Sequence, residues 1–152
     1  MLQQKKKNAG FSLVELIIVI AIMAILVGFL APALIKYIER SRRSVDLQSA
    51  DRIQAALQRV LAETDFEPPN GQAVIIINKS STASDPVASV QDELIQELGN
   101  VPPIKSFPDY YWYIVYFPDT GAVPEVHLTD SASGQPKYEL FPDHQAFADG
   151  EE

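Results

Sequence analysis

Glu15 is the side chain in this sequence that most needs a chemical reason. It precedes twenty uncharged residues, Leu16 to Ile35, LIIVIAIMAILVGFLAPALI. A carboxylate at the border of a bilayer span is costly unless it is hydrated or paired. Glu15 therefore either sits at the depth of interfacial water or has a cationic partner. The other groups able to do chemistry are scattered. His127 and His144 lie in different segments without ligand-spaced companions, so no metal site is expected. Asp119, Asp130 and Asp143 fall in turns and could hold calcium if their loops converged, although EF-hand spacing is absent. Asn78-Lys79-Ser80 fits the glycosylation triplet, and Ser80 to Ser84 could accept O-linked sugar. There is no cysteine, hence no disulfide, thiolate metal site or thiol nucleophile. With no nucleophile elbow, P-loop or paired carboxylates, neither an enzyme nor a cofactor is indicated.

The elements that must position these groups follow from charge and hydropathy. The chain of 152 residues has a formal charge of −8, with 47% apolar and 21% charged residues, so it is not a disordered tail. The charge is divided unevenly. Residues 1–10 carry Lys5, Lys6 and Lys7 and no acid; residues 11–62 hold six basic and four acidic residues; residues 63–152 hold three lysines against 16 acids. An acidic head thus follows a mildly basic stem, and the head would repel nucleic-acid phosphates. The stretch from Phe11 to Ile35 is 25 residues long. As a helix it would span roughly 37 Å, enough to cross a hydrocarbon core of about 30 Å. It lacks the polar positions every three or four residues of a soluble core helix, so membrane insertion is expected. Lys36, Arg40, Arg42 and Arg43 follow the span, which leaves the positive-inside count close to balanced. The three arginines could anchor the membrane exit.

A basic start before an apolar run also suits a secretory signal, with Ala31-Pro32-Ala33 as its cleavage site and Leu34 as the new start. Glu15 at the edge of the apolar segment, and a helical pattern that continues through the supposed cut, count against it.

The segment Lys5-Lys6-Lys7-Asn8-Ala9-Gly10-Phe11-Ser12-Leu13-Val14-Glu15, with the apolar span and with Pro32 beyond it, resembles the leader of type IV prepilins and type II secretion pseudopilins. The resemblance covers about the first 50 residues. It implies cleavage after Gly10 by a membrane-embedded prepilin peptidase, N-methylation of Phe11, and a cytoplasmic leader. A Gly before the scissile bond leaves the backbone uncovered for a peptidase cleft. The released Phe11 ammonium of one subunit would then pair with Glu15 of its neighbour, a strong attraction in an apolar filament core. Gly28 and Pro32 lie inside the span. Pro32 removes a helix hydrogen bond, which reads either as a tolerated kink or as a segment able to melt when subunits pack together. The implied partners are the peptidase, an assembly platform, an ATPase, other pilins, copies of the same chain in a helical filament, and membrane lipid before assembly. A head without the C-terminal disulfide loop of many Gram-negative pilins leans toward a Gram-positive pilin or a pseudopilin.

Beyond the span, Val45, Leu47, Ala50, Ile53, Leu57, Val60 and Leu61 recur at three- and four-residue steps. They predict an amphipathic stem helix over 36–64 that ends before Pro68-Pro69-Asn70-Gly71. In the head, strands are expected at Ala73–Ile77, Tyr110–Phe117, Val123–Thr129 and Lys137–Phe141, with a turn over Asp130 to Gly134. A helix capped by Asp85 and Pro86 should run to Leu98 and stop at Gly99. The aromatic strand is apolar on both faces and should be central, while Pro124 marks an edge or a strand start. The expected fold class is α+β, a long N-terminal α-helix packed on a small antiparallel sheet of three or four strands. Its divisions are a leader (1–10), a membrane or filament-core helix (11–35), a stem helix (36–64) and an acidic head (65–152). A secreted or membrane-anchored binding module is the rival reading.

Overall fold

The apolar periodicity of the stem resolves into one helix that carries its own sheet-packing stripe. In the computed structural model, residues 11–63, 73–77, 88–117, 120, 122–131 and 135–150 are described. Helix α1 runs over Leu13–Glu63, followed by β1 (Ala73–Ile77), α2 (Ala88–Leu98), β2 (Tyr111–Tyr116), β3 (Glu125–Thr129), β4 (Tyr138–Phe141) and α3 (Gln145–Asp149). Two compact units divide the chain within α1, one through Ile38 and one from Glu39 onward.

In the second unit the strands lie in the order β1-β2-β3-β4, with every neighbouring pair antiparallel. The register sets Trp112 opposite Ile77 and Leu128, and Ile114 opposite Ile75 and Val126. These residues share one face of the sheet by the period of two. All are fully buried, together with Ala50, Ile53 and Leu57 of α1 and Val90 and Leu94 of α2. The α+β architecture and the four strands agree with expectation. Strand β1 has the expected bounds, and the other three are each shorter by a residue or two than the expected run. Pro124 has no N–H to give a ladder, so β3 begins at Glu125. It is a strand start and not an edge, because β3 is paired on both sides. Between β3 and β4 the register shifts at Val126/His127, a bulge that passes over Leu140, itself buried.

As expected, β2 is central. Its second face is partly covered: Val115 is buried, and Tyr111 and Tyr113 are half-buried. His127 meets Tyr113 edge-on at 6.2 Å and lies 3.2 Å from Glu125 through Nε2, which makes it a sheet histidine. Helix α2 ends as expected at Gly99, whose φ of 66° suits a residue without Cβ. Its supposed caps, Asp85 and Pro86, lie outside the described residues. So do the Asn78-Lys79-Ser80 triplet and the Ser80 to Ser84 run.

The stem stripe needs one correction. Val45 is exposed, and its neighbour Asp46 is completely buried. The carboxylate of Asp46 accepts the backbone N–H groups of Lys105 and Ser106, each at 2.7 Å, and so ties the loop before β2 to α1. A buried carboxylate is tolerable when charge-assisted bonds of this kind replace its water. In the same loop the Trp112 indole N–H donates to the Pro102 carbonyl at 2.8 Å.

The C-terminal end also returns to α1. Phe147 of α3 is buried, and its ring lies 6.4 Å from Phe107 and 5.8 Å from Tyr138. Arg43 Nη1 donates to the Phe147 carbonyl at 2.8 Å, while the guanidinium sits 5.5 Å from the centre of the Phe147 ring. Gly150 closes α3 in the left-handed conformation, and a Cβ there would lie 2.9 Å from Arg43 Nη1.

Candidate functional site

The sequence places its candidate chemistry at the start of α1. There Ser12 and Glu15 form a reciprocal cap. Ser12 N–H donates to Glu15 Oε2 at 2.8 Å, Val14 N–H donates to Ser12 Oγ at 3.3 Å, and Leu16 N–H donates to the Ser12 carbonyl at 3.2 Å. The first N–H groups of any helix lack partners within it. A Ser followed three residues later by Glu satisfies two of them at once. Sequence reasoning weighed Glu15 as hydrated or paired between subunits and passed over this third role. Yet the Ser12-Leu13-Val14-Glu15 spacing was a legible capping-box signal.

The cap leaves Glu15 exposed, with the second carboxylate oxygen free of any hydrogen bond among the described residues. Phe11 is 93% exposed and lies immediately before the capped turn. Gly10 lies outside the described residues, so the expected scissile bond has no geometry to report.

Beyond the cap, every large apolar side chain from Leu13 to Ile38 is exposed. Among the described residues α1 is the helix long and apolar enough to cross a membrane. Apolar all round and uncovered within the chain, this segment presents the kind of surface that lipid or other helices cover.

Helix α1 continues without a break through Pro32. Pro32 has no N–H for the residue four positions back, which is Gly28. The Gly28 carbonyl is therefore the acceptor that loses its regular partner. A Cβ at Gly28 would meet nothing within 4 Å, so packing inside the chain does not demand glycine there.

The scattered groups do not converge. Among the described residues no three of His, Cys, Asp and Glu come together in a way that could hold a metal. Asp130 pairs with Lys137 across the β3–β4 loop. That hydrogen bond holds the Asp130 carboxyl below its ordinary pKa and raises that of Lys137. Asp143 Oδ1 accepts the Gln145 N–H at 3.3 Å where α3 begins, and His144 is exposed beside it. Asp119 lies outside the described residues. Inside the head, burial pushes the Tyr116 hydroxyl up to about 12.

Comparison with known proteins bears on the N-terminal segment. Residues 5–31 match the family described as the prokaryotic N-terminal methylation motif. The chain is 35% identical over 66 residues to the type IV major fimbrial protein FimA of Dichelobacter nodosus, covering 43% of this chain and 41% of that protein. It is 35% identical over 60 residues to the prepilin peptidase-dependent protein A of Clostridium perfringens, covering 40% of this chain and 43% of that one. The matched stretch is thus about two fifths of the length of these relatives. No solved structure matches the chain. The methylation motif spans the Ser12–Glu15 cap and most of the exposed apolar helix, and the fimbrial and prepilin peptidase-dependent relatives are similar to this chain over that N-terminal stretch and its continuation.

Proposed function

We propose that the chain is a structural subunit of a type IV pilus or pilus-like filament. In this reading prepilin peptidase cuts after Gly10, Phe11 is N-methylated, and the subunit polymerises through the first half of α1. The observation that carries it is the coincidence of the methylation motif over residues 5–31 with a helix whose large apolar side chains are all exposed to Ile38. Such a surface needs bilayer before assembly and neighbouring stems afterwards.

Cleavage would convert Phe11 into an ammonium next to the capped turn. Glu15 spends one oxygen on Ser12 and keeps the other. That second oxygen is what a neighbouring subunit's ammonium would meet, and the pair would set the axial register of one subunit on the next. An unpaired carboxylate in the apolar interior would be penalised, so misregistered subunits would be disfavoured. The leader would remain cytoplasmic, the subunit would sit as a single-pass protein in the cytoplasmic membrane, and the acidic head would face outward from the finished fibre. An assembly platform and an ATPase would supply the work of extrusion. Mass spectrometry of the exported protein tests the reading directly. A mature chain beginning at methylated Phe11 supports it, and one beginning at Leu34 refutes it in favour of ordinary secretion. Sheared surface fibres containing the subunit would distinguish a pilus from a secretion pseudopilus.

A further inference from the structure

Just past the apolar segment, Glu39, Arg42 and Arg43 line a cavity of about 180 Å³ together with Ser106 and Phe107. At about 30 Å³ per water that is room for roughly six waters. A carboxylate and a guanidinium three or four residues apart on a helix are placed to close into an ion pair. Glu39 makes no such pair within 4.0 Å among the described residues, and neither does Arg42. Arg43 is occupied on one side only, by the Phe147 carbonyl and ring. The Ser106 hydroxyl is buried and has no hydrogen-bond partner among the described residues. Two positive groups, one negative group and a spare hydroxyl therefore border one space without satisfying each other.

We propose that this cavity binds the headgroup of a zwitterionic phospholipid that carries a primary ammonium. Its phosphate would lie against Arg42 and the open side of Arg43, and its ammonium against Glu39, with the Phe107 ring as the apolar wall. Guanidinium groups suit phosphate because their donors are fixed in a plane and weakly hydrated. A purely anionic ligand would leave Glu39 repelling it, and an acidic segment of another protein has the same defect. The chain position agrees. Glu39 directly follows Ile38, and Arg42 is about 4.5 Å further along a helix, within the depth of a headgroup layer. The assignment rests on the membrane-inserted form described above.

The test uses the full-length chain in a neutral detergent. Native mass spectrometry counts adducts of phosphatidylethanolamine and phosphatidylglycerol offered at equal concentration. The expected result is a preference for phosphatidylethanolamine of roughly tenfold, the equivalent of one charge-assisted contact. Arg42→Gln should remove most of those adducts. Glu39→Gln should bring phosphatidylethanolamine down to the level of phosphatidylglycerol without lowering the latter. Both side chains are exposed and unpaired among the described residues, so the variants should fold. Glycerophosphoethanolamine should compete, and inorganic phosphate should not. Equal binding of the two lipids, indifference to Arg42→Gln, or displacement by inorganic phosphate alone would overturn the proposal. Resistance of the chain to carbonate extraction from membranes reads insertion separately. A chain that washes off refutes the membrane-inserted form itself, whereas a retained chain without lipid preference refutes only the headgroup site.

Discussion

The Asp46 carboxylate accepts the backbone N–H of Ser106 at 2.7 Å, across 60 residues of sequence, and takes that of Lys105 with its other oxygen. One side chain of the stem thereby holds the loop that leads into the central strand. Removing it leaves two N–H groups without an acceptor in a place where Asp46 itself is wholly buried. Asp46→Ala should cost about 3 kcal/mol of stability, and Asp46→Asn, which keeps one acceptor, less. Urea unfolding followed by the fluorescence of Trp112, the chain's single tryptophan, measures both.

Gly150→Ala should destabilise more than Gly99→Ala. Both positions have positive φ, 85° and 66°, so each substitution carries the left-handed penalty of about 1–2 kcal/mol. At Gly99 a new Cβ meets nothing within 4 Å, whereas at Gly150 it lies 2.9 Å from Arg43 Nη1. The difference between the two variants in the same unfolding experiment reads the Arg43 contact, and equal losses would show that the contact contributes nothing.

Alkaline pH should weaken the head through Tyr116. Burial raises its hydroxyl from 10.0 to about 12. A raised folded-state value means that the neutral form is favoured by folding. The stabilisation is complete below pH 10, where the unfolded phenol is still protonated, and is lost as pH rises toward 12. The total is roughly 3 kcal/mol for a shift of this size. Tyr116→Phe should flatten the loss of stability between these limits and remove the phenolate absorbance that rises near pH 12.

The helix cap that Glu15 makes with Ser12 and its proposed pairing with a neighbouring subunit are separable, and two substitutions distinguish them. Glu15→Gln keeps an oxygen able to accept the Ser12 N–H but has no charge, whereas Glu15→Ala removes both. If the charge pairs with a neighbouring Phe11 ammonium, both variants should insert, be cleaved after Gly10, and yield few or no fibres. Fibre formation by Glu15→Gln at the normal yield would assign the residue to the helix cap alone. Immunoblots of sheared and membrane fractions read all three steps.

Pro32→Ala should restore the hydrogen bond to the Gly28 carbonyl within α1. Slower amide exchange around residue 32 in the membrane-inserted subunit is the direct check. If a locally open helix is used in packing the fibre, this stiffer variant should assemble less well although it inserts normally.

Much of this was legible along the chain because it depends on near neighbours. The uncharged run after Glu15, the stop at Gly99, the aromatic central strand and the start of β3 after Pro124 follow from periods of 3.6 and 2 and from the chemistry of Gly and Pro. The Ser12–Glu15 cap is equally local, its signal being a Ser followed three residues later by a Glu. Asp46 is an intermediate case. It lies on the same stripe as Ala50, Ile53, Leu57 and Val60, where an apolar residue is expected, and it interrupted the pattern without showing what it served.

Its partners could not be read from the chain, because the donors at Lys105 and Ser106 are backbone groups brought near by folding. The same holds for Arg43, Phe147 and Gly150, which meet across more than a hundred residues, and for the opposed charges around the cavity at Glu39 and Arg42. The sequence alone determined the long N-terminal helix with its membrane-seeking run, the end of α2 and the four strands, since those are properties of composition and spacing; the short helix α3 gave no such signal. Only the tertiary structure decided which polar groups satisfy one another. Hydrogen bonds and ion pairs act over a few ångströms in space, and no periodicity records which distant residues will share that space.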